Sequence, residues 1–169
     1  MEKTIDLYHY KYFHSSRQFQ KNPDRLKSMY EEVKPYAPKR MLDVGCGIGY
    51  FVKYCRDQGI EAYGIDFAPA LKEHWWRQLS WYIIADAKNI PFSDNYFDLV
   101  FSSDFFEHIP EEEIEQVAKE MLRVSKNVVA KIAFENKSLH DHQLDYHCTN
   151  KPQSWWKRKL RGITVLDYD

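Results

Sequence analysis

Met41-Leu42-Asp43-Val44-Gly45-Cys46-Gly47-Ile48-Gly49-Tyr50 is the stretch whose reading decides the fold. A short apolar run ends near a carboxylate, passes three glycines at alternate positions and opens an amphipathic segment. That is the pattern of a strand, a tight turn and a helix start. Glycine suits such a turn because it takes positive φ without strain and lets a ligand approach bare backbone. About 20 residues further on, Ala62-Tyr63-Gly64-Ile65-Asp66 reads as a second strand ending in an acid, placed to hold ribose hydroxyls. A glycine turn with a distant acid points to an adenosine-type ligand. Two details narrow it. A dinucleotide fingerprint wants its third glycine where Tyr50 stands. Asp43 beside the turn suits a cationic group such as an α-ammonium and would repel a pyrophosphate.

Outward from the turn, helical and strand patterns alternate. Asn22-Pro23 is an N-cap with proline at the first helical position, followed by Leu26, Met29, Tyr30 and Val33 at helical spacing, with Pro35 and Pro38 as the stop. After the turn, Phe51, Tyr54 and Cys55 mark the apolar face of a helix that Gly59 ends. Ala68 to Leu79 reads as a helix in which Trp75 and Trp76 are packing residues, and Trp81 to Ile84 as a third strand. Pro91 to Asn95 is turn chemistry. Phe97 to Ser102 is a fourth strand suited to burial on both faces. Pro110 to Val124 is a helix with a stripe of Ile114, Val117, Ala118, Met121 and Leu122. Glu111, Glu112 and Glu113 fall at its dipole-favoured start, and Glu115 is spaced to pair with Lys119. Asn127 to Phe134 is a fifth strand. Such alternation predicts an α/β fold: a doubly wound, mostly parallel sheet with helices on both faces and right-handed crossovers.

The chain of 169 residues is read as a single domain, divided as 1–38 (N-terminal helical cap), 39–134 (ligand-binding core) and 135–169 (loop, helix and edge strand). Hydrophobic content of 44% with 16% aromatics favours a packed core over disorder. Charge is nearly balanced, 24 basic against 25 acidic side chains, so nothing global favours nucleic acid or membrane as a partner. Cys46, Cys55 and Cys148 have no metal-type spacing and read as reduced thiols. With no apolar run of membrane-spanning length and no signal-peptide pattern, the expected compartment is the cytoplasm.

From about Lys39 to Phe134 the motifs, in order, resemble the class I S-adenosylmethionine (SAM) dependent methyltransferases, whose first motif looks like Leu42 to Gly49. The resemblance implies a Rossmann-like methyltransferase fold, SAM as cofactor and S-adenosylhomocysteine (SAH) as product. It implies that Asp66, with Phe67 beside it, holds the ribose, and that Asp86 and the Ala87 backbone meet the adenine. Gly45, Cys46, Gly47 and Gly49 would form the turn under the methionine part, Asp43 would offset its ammonium, and Ser103 and Asp104 would line the sulfonium. The aromatic and histidine-rich segment Tyr8 to Phe19 is then either a packed arm or a lid. The family usually ends in a helix and two further strands, one antiparallel. Here only a short helix at Trp155 to Leu160 and one strand within Gly162 to Tyr168 are readable, so an incomplete C-terminal edge is expected. Such an edge invites pairing, and a monomer or a homodimer is the expected state.

The acceptor is constrained by absences. Ser103-Asp104-Phe105-Phe106 lacks the Asp/Asn-Pro-Pro-Tyr/Phe motif of amino-methylating enzymes acting on DNA, and Lys131 to Asn136 lacks the Asp-Asn pair of metal-dependent catechol enzymes. Glu107-His108-Ile109-Pro110 resembles the small-molecule branch, so the reaction expected is methylation of an O or N atom of a small molecule. His108 reads either as a base or as a packed helix-entry residue. In the loop 138–147, His142 is the first candidate for base or acceptor positioning and His140 the second. His140, His142 and His147 supply ligand types without tetrahedral spacing, and no metal is expected. Two other readings stand beside this one: a SAM- or SAH-binding relative that has lost catalysis, and a nicotinamide oxidoreductase, which Tyr50 and Asp43 disfavour.

Overall fold

The computed structural model describes residues 20–67, 79–134 and 147–168. Its first helix, α1 (Pro23–Val33), starts as the sequence dictates: Asn22 Oδ1 accepts from the backbone N of Asp24 at 2.9 Å and of Arg25 at 3.4 Å. Leu26, Met29 and Val33 form its buried stripe, and a 3₁₀ turn at Lys34–Tyr36 ends it. Then come β1 (Arg40–Val44), α2 (Tyr50–Asp57), β2 (Glu61–Asp66), β3 (Tyr82–Ile84), β4 (Leu99–Ser103), α3 (Ile114–Val124), β5 (Val128–Lys131), α4 (Gln153–Lys159) and β6 (Thr164–Leu166).

The strands form one sheet in the order β3-β2-β1-β4-β5-β6, and every pairing is parallel. β1 lies between β2 and β4, with Asp43 opposite both Gly64 and Phe101. Strand order reverses there, so a crevice opens beyond the carboxyl ends of β1 and β4, where doubly wound sheets bind ligands. Alternate residues of β1 serve opposite cores. Leu42 and Val44 join Val100, Ala130, Phe106, Ile114, Met121 and Trp156 on one face. Met41 joins Leu99, Phe101 and Val129 with the stripes of α1 and α2 on the other. Burial on both faces is why these strands read as nearly continuous apolar runs.

The loop between β3 and β4 is tied to α3 through Arg123. Its guanidinium donates to the carbonyls of Ile90 and Phe92, both at 2.8 Å, and pairs with Glu120 at 2.8 Å and Asp94 at 2.9 Å. The resulting fold is the expected α/β class, with boundaries moved by local competition. α3 begins at Ile114 rather than Pro110, because residues 111–113 close a tighter turn in which Glu113 N donates to the Pro110 carbonyl at 2.9 Å; Glu111 pairs with Lys151 and Glu113 with Lys88, each at 2.9 Å. Glu115 pairs with Lys159 of α4 at 2.5 Å and not with Lys119, since α4 runs within reach of α3. At the C-terminal edge, the expected helix and strand are present. β6 pairs in parallel with β5, Ala130 opposite Val165. The helix expected over residues 68–79 and the segment Tyr8 to Phe19 lie outside the described residues.

α4 is part of the core rather than an appendage. Trp156 is fully buried, stacks edge-on against Phe106 at 6.3 Å and donates from Nε1 to the Lys151 carbonyl at 3.1 Å. Replacing it with Ala removes a large buried ring, and Trp156→Ala is expected to lower unfolding free energy by ~3–5 kcal/mol. Urea denaturation followed by circular dichroism reads this. A midpoint within error of the parent would detach α4 from the core.

Candidate functional site

The glycine turn is held by the end of β2. The backbone N of Gly45 and of Cys46 both donate to the Ile65 carbonyl, at 2.9 and 3.1 Å, and Gly47 N donates to Asp66 Oδ2 at 2.9 Å. Gly45, Gly47 and Gly49 take φ of 76°, 55° and 86°, in the left-handed region as the spacing predicts. Gly45 is needed for space as well, since a Cβ there would stand 2.4 Å from the Phe105 ring. From the other side Tyr82 donates its hydroxyl to the Gly47 carbonyl at 2.6 Å, beside the buried Cys46 thiol.

Three carboxylates ring this turn at the carboxyl ends of adjacent strands: Asp43 on β1, Asp66 on β2 and Asp104 just after β4. Asp43 is 3% exposed and has no hydrogen-bond partner among the described residues. Burial, reinforced by Asp66 and opposed by Arg25, pushes its carboxyl up to about 7. Asp104 holds φ of 50°, a left-handed backbone uncommon for a residue with a side chain. Its carboxylate is ion-paired with Arg25, whose guanidinium also donates to Ser103 Oγ at 3.2 Å. Ser103 Oγ shares a 2.6 Å hydrogen bond with the Tyr168 hydroxyl. Carboxyl groups gathered at the strand ends favour a cationic group there over a phosphate.

Several predicted residues are brought together here: Asp43, Gly45, Cys46, Gly47, Gly49 and Asp66 at the turn, and Ser103 and Asp104 at the neighbouring strand end. Phe67 follows Asp66 with an exposed ring. Asp86 lies after β3, where its Oδ1 accepts from Lys88 N at 2.8 Å and leaves Oδ2 toward solvent near Lys88 Nζ, 3.7 Å away. Ala87 is buried in the core beside it. His108 stands in the 3₁₀ turn Phe106–His108 that precedes α3. His140 and His142 lie outside the described residues.

Residues that the sequence reading passed over also reach the site. Gln20 Oε1 accepts from Ile48 N at 3.1 Å and occupies the space beside Gly47. Arg25 and Glu32 lie on one side of α1. Glu32 pairs with the buried Lys131 at the end of β5, 3.3 Å away. Their spacing of seven beside the Leu26-Met29-Val33 stripe is the signal that marks them, because positions i and i+7 share a helix face. Glu107 is fully buried, and burial together with Asp104 pushes its carboxyl up to about 8.

This fold and site have known counterparts. Residues 42–128, just over half the chain, match the family model described as "Methyltransferase domain". Norajmaline N-methyltransferase of Rauvolfia serpentina is 31% identical over 110 residues, covering 60% of this chain and 37% of that protein. Chloroplastic tocopherol O-methyltransferase of Arabidopsis thaliana is 32% identical over 111 residues, 60% of this chain and 31% of its own. A SAM-dependent methyltransferase structure from Archaeoglobus fulgidus superposes with a TM-score of 0.57 at 27% identity, covering 69% of this chain and 54% of that one. The chain thus spans about a third of the length of these two curated relatives. It belongs to the methyltransferase domain family, of the class I SAM-dependent kind, which sets aside the nicotinamide reading. Among the described residues no helix is long and apolar enough to cross a membrane.

Asp43 makes the site's electrostatics measurable. Unfolded, its carboxyl titrates near 3.8; folded, near about 7. Between these values the folded chain holds the extra proton, so its stability falls as pH rises from about 4 to about 7 and levels above. Asp43→Asn removes that contribution. Melting temperatures across this range are expected to fall less steeply in the variant; parallel curves would mean that Asp43 is ionised throughout.

Proposed function

We propose that the chain binds SAM at the Gly45–Gly49 turn and transfers its methyl group to an O or N atom of a small-molecule acceptor. The observation that carries this reading is the set of Asp43, Asp66 and Asp104 at the ends of adjacent strands beside a left-handed glycine turn. Bound there, SAM supplies a sulfonium whose methyl is already activated toward in-line displacement. The residues bind and orient. Asp43 meets the ammonium, which offsets the cost of ionising a buried carboxyl. Asp66 has paired acceptors for the vicinal ribose diol while one oxygen steadies Gly47 N. Asp86 and the Ala87 backbone take the adenine edge, with Phe67 alongside. Ser103 and Asp104 border the sulfonium and place negative charge beside it. Alignment of the two reactants accounts for up to ~7–11 kcal/mol of the barrier in reactions of this type.

A base is needed only where the acceptor must lose a proton, as a hydroxyl does and an amine with a free lone pair does not. His108, in the turn that precedes α3, is a candidate for that role, together with His142 and His140. The curated relatives include both an N- and an O-methyltransferase, in keeping with an acceptor atom of either kind. A second reading rests on Gln20 and Arg25, which engage Ile48 N and Asp104 from within the chain. With those contacts permanent, the protein would be a catalytically silent relative.

Calorimetric titration with SAH, and NAD as control, tests the cofactor. SAH is expected to bind and NAD not. Asp66→Ala removes charge-assisted hydrogen bonds worth ~1.5–3 kcal/mol each and is expected to weaken SAH by about ten-fold or more. Asp66→Asn, which keeps an acceptor for Gly47 N, is expected to lose less. Undiminished SAH affinity in Asp66→Ala would overturn the assignment, and SAH binding without turnover on any acceptor would favour the silent relative.

A further inference from the structure

We propose that Glu107, His108 and His147 form a divalent metal site, suited to Zn²⁺, at the carboxyl end of β4. Their candidate ligand atoms all lie within 4.8 Å of one another, although the residues come from two segments far apart in sequence. Rotamer adjustments of about an ångström close such a triangle to the ~2.0–2.2 Å metal–ligand distances of zinc.

Glu107 points to a ligand in its own right. The residue is fully buried, and its Oε1 accepts from Ala133 N at 3.1 Å. Oε2 is buried with no hydrogen-bond partner among the described residues. Buried polar atoms are almost always satisfied, and an orphaned carboxylate oxygen calls for an explanation. A cation on that lone pair supplies one. The two imidazoles meet edge to face, with ring centroids 5.0 Å apart and planes at 79°, and a nitrogen of each lies within 4.8 Å of a Glu107 carboxylate oxygen. Both rings are only half-buried, which leaves a path for an ion to enter.

The juxtaposition is held by contacts that do not involve the ligand atoms. Thr149, 2% exposed, donates from its backbone N to the Glu107 carbonyl at 3.0 Å and from Oγ1 to the Ile109 carbonyl at 2.7 Å. That clasp fixes the segment carrying His147 against the turn carrying Glu107 and His108. The donor set selects the kind of ion. Two imidazoles and one carboxylate suit first-row transition ions, whereas Mg²⁺ and Ca²⁺ prefer all-oxygen shells. Three protein ligands leave one tetrahedral position for water or an oxygen of a bound molecule. Glu107 follows closely on Asp104 beyond the end of β4, so the ion would stand on the β4 side of the crevice. The inference stands apart from the cofactor assignment, because metal binding is read without SAM.

The test uses the whole chain, stripped with a chelator, and Co²⁺ as the probe, whose visible absorption reports four-coordinate geometry. One equivalent is expected to bind, to be displaced by Zn²⁺ and to be unaffected by excess Mg²⁺. His108→Ala and His147→Ala are each expected to weaken Co²⁺ by more than the ~10-fold that losing an outer-shell partner costs. Their far-UV circular dichroism is expected to match the parent's. Glu107→Gln should do the same; where that buried change unfolds the chain, the two histidine variants decide. No saturable Co²⁺ binding by the parent would overturn the proposal. So would binding that persists within about two-fold in the His108→Ala/His147→Ala double variant, since ligands elsewhere would then hold the ion.

Discussion

Three successive amides of the glycine turn, those of Gly45, Cys46 and Gly47, are taken up by the last two residues of β2. The rest of the site depends on that arrangement. It uses the Ile65 carbonyl and one Asp66 oxygen to hold a left-handed backbone in place, with Tyr82 on the Gly47 carbonyl and Gln20 on Ile48 N from other sides. Phe105 packs into the space that Gly45 opens, which sets the direction in which the chain leaves β4. The positions of Asp104, Glu107 and His108 follow from that exit. A larger residue at Gly45 would therefore disturb both the turn and the acceptor side at once.

Charge is distributed to match. Carboxylates accumulate where parallel strands end, and the chain answers them with a single helix. α1 delivers Arg25 to Asp104 and Ser103, and Glu32 to Lys131, from one face bordering its apolar stripe. The same helix thus packs the sheet and tempers the field at its mouth. Its other function is positional: Gln20, just ahead of it, lies on Ile48 N. A ligand carboxylate arriving at the turn would compete with a side-chain oxygen of similar shape, which makes exchange of one acceptor for another the natural event on binding.

The framework was legible because it rests on local chemistry. Asn22-Pro23 fixes a helix start by hydrogen bonding, the alternate glycines fix a left-handed turn by sterics, and runs such as Leu99 to Ser103 are apolar because both faces are covered. Asp43 and Asp66 were readable for the same reason, since each is placed by its own strand. What depends on distant partners was not. Glu115 finds Lys159 rather than Lys119 because α4 packs near α3, and no helical spacing encodes that. Arg25 reaches Asp104 only through the docking of α1. Glu107 was visible as part of Glu107-His108-Ile109-Pro110, yet its neighbour His147 belongs to another segment, which contacts such as the Thr149 clasp and the Glu111–Lys151 pair bring against it. Metal-type spacing in sequence is absent for that reason: the ligands are assembled by tertiary contact.

The three cysteines have a practical consequence. Cys46 and Cys55 are buried, and burial pushes both thiols well up, so neither forms thiolate readily. Cys148 is exposed. A maleimide dye would accordingly attach at a single place on the native chain, next to His147 and one residue before the clasp at Thr149. Fluorescence from that position would follow the surroundings of His147 and Thr149 in real time, and the chain already carries the handle it requires.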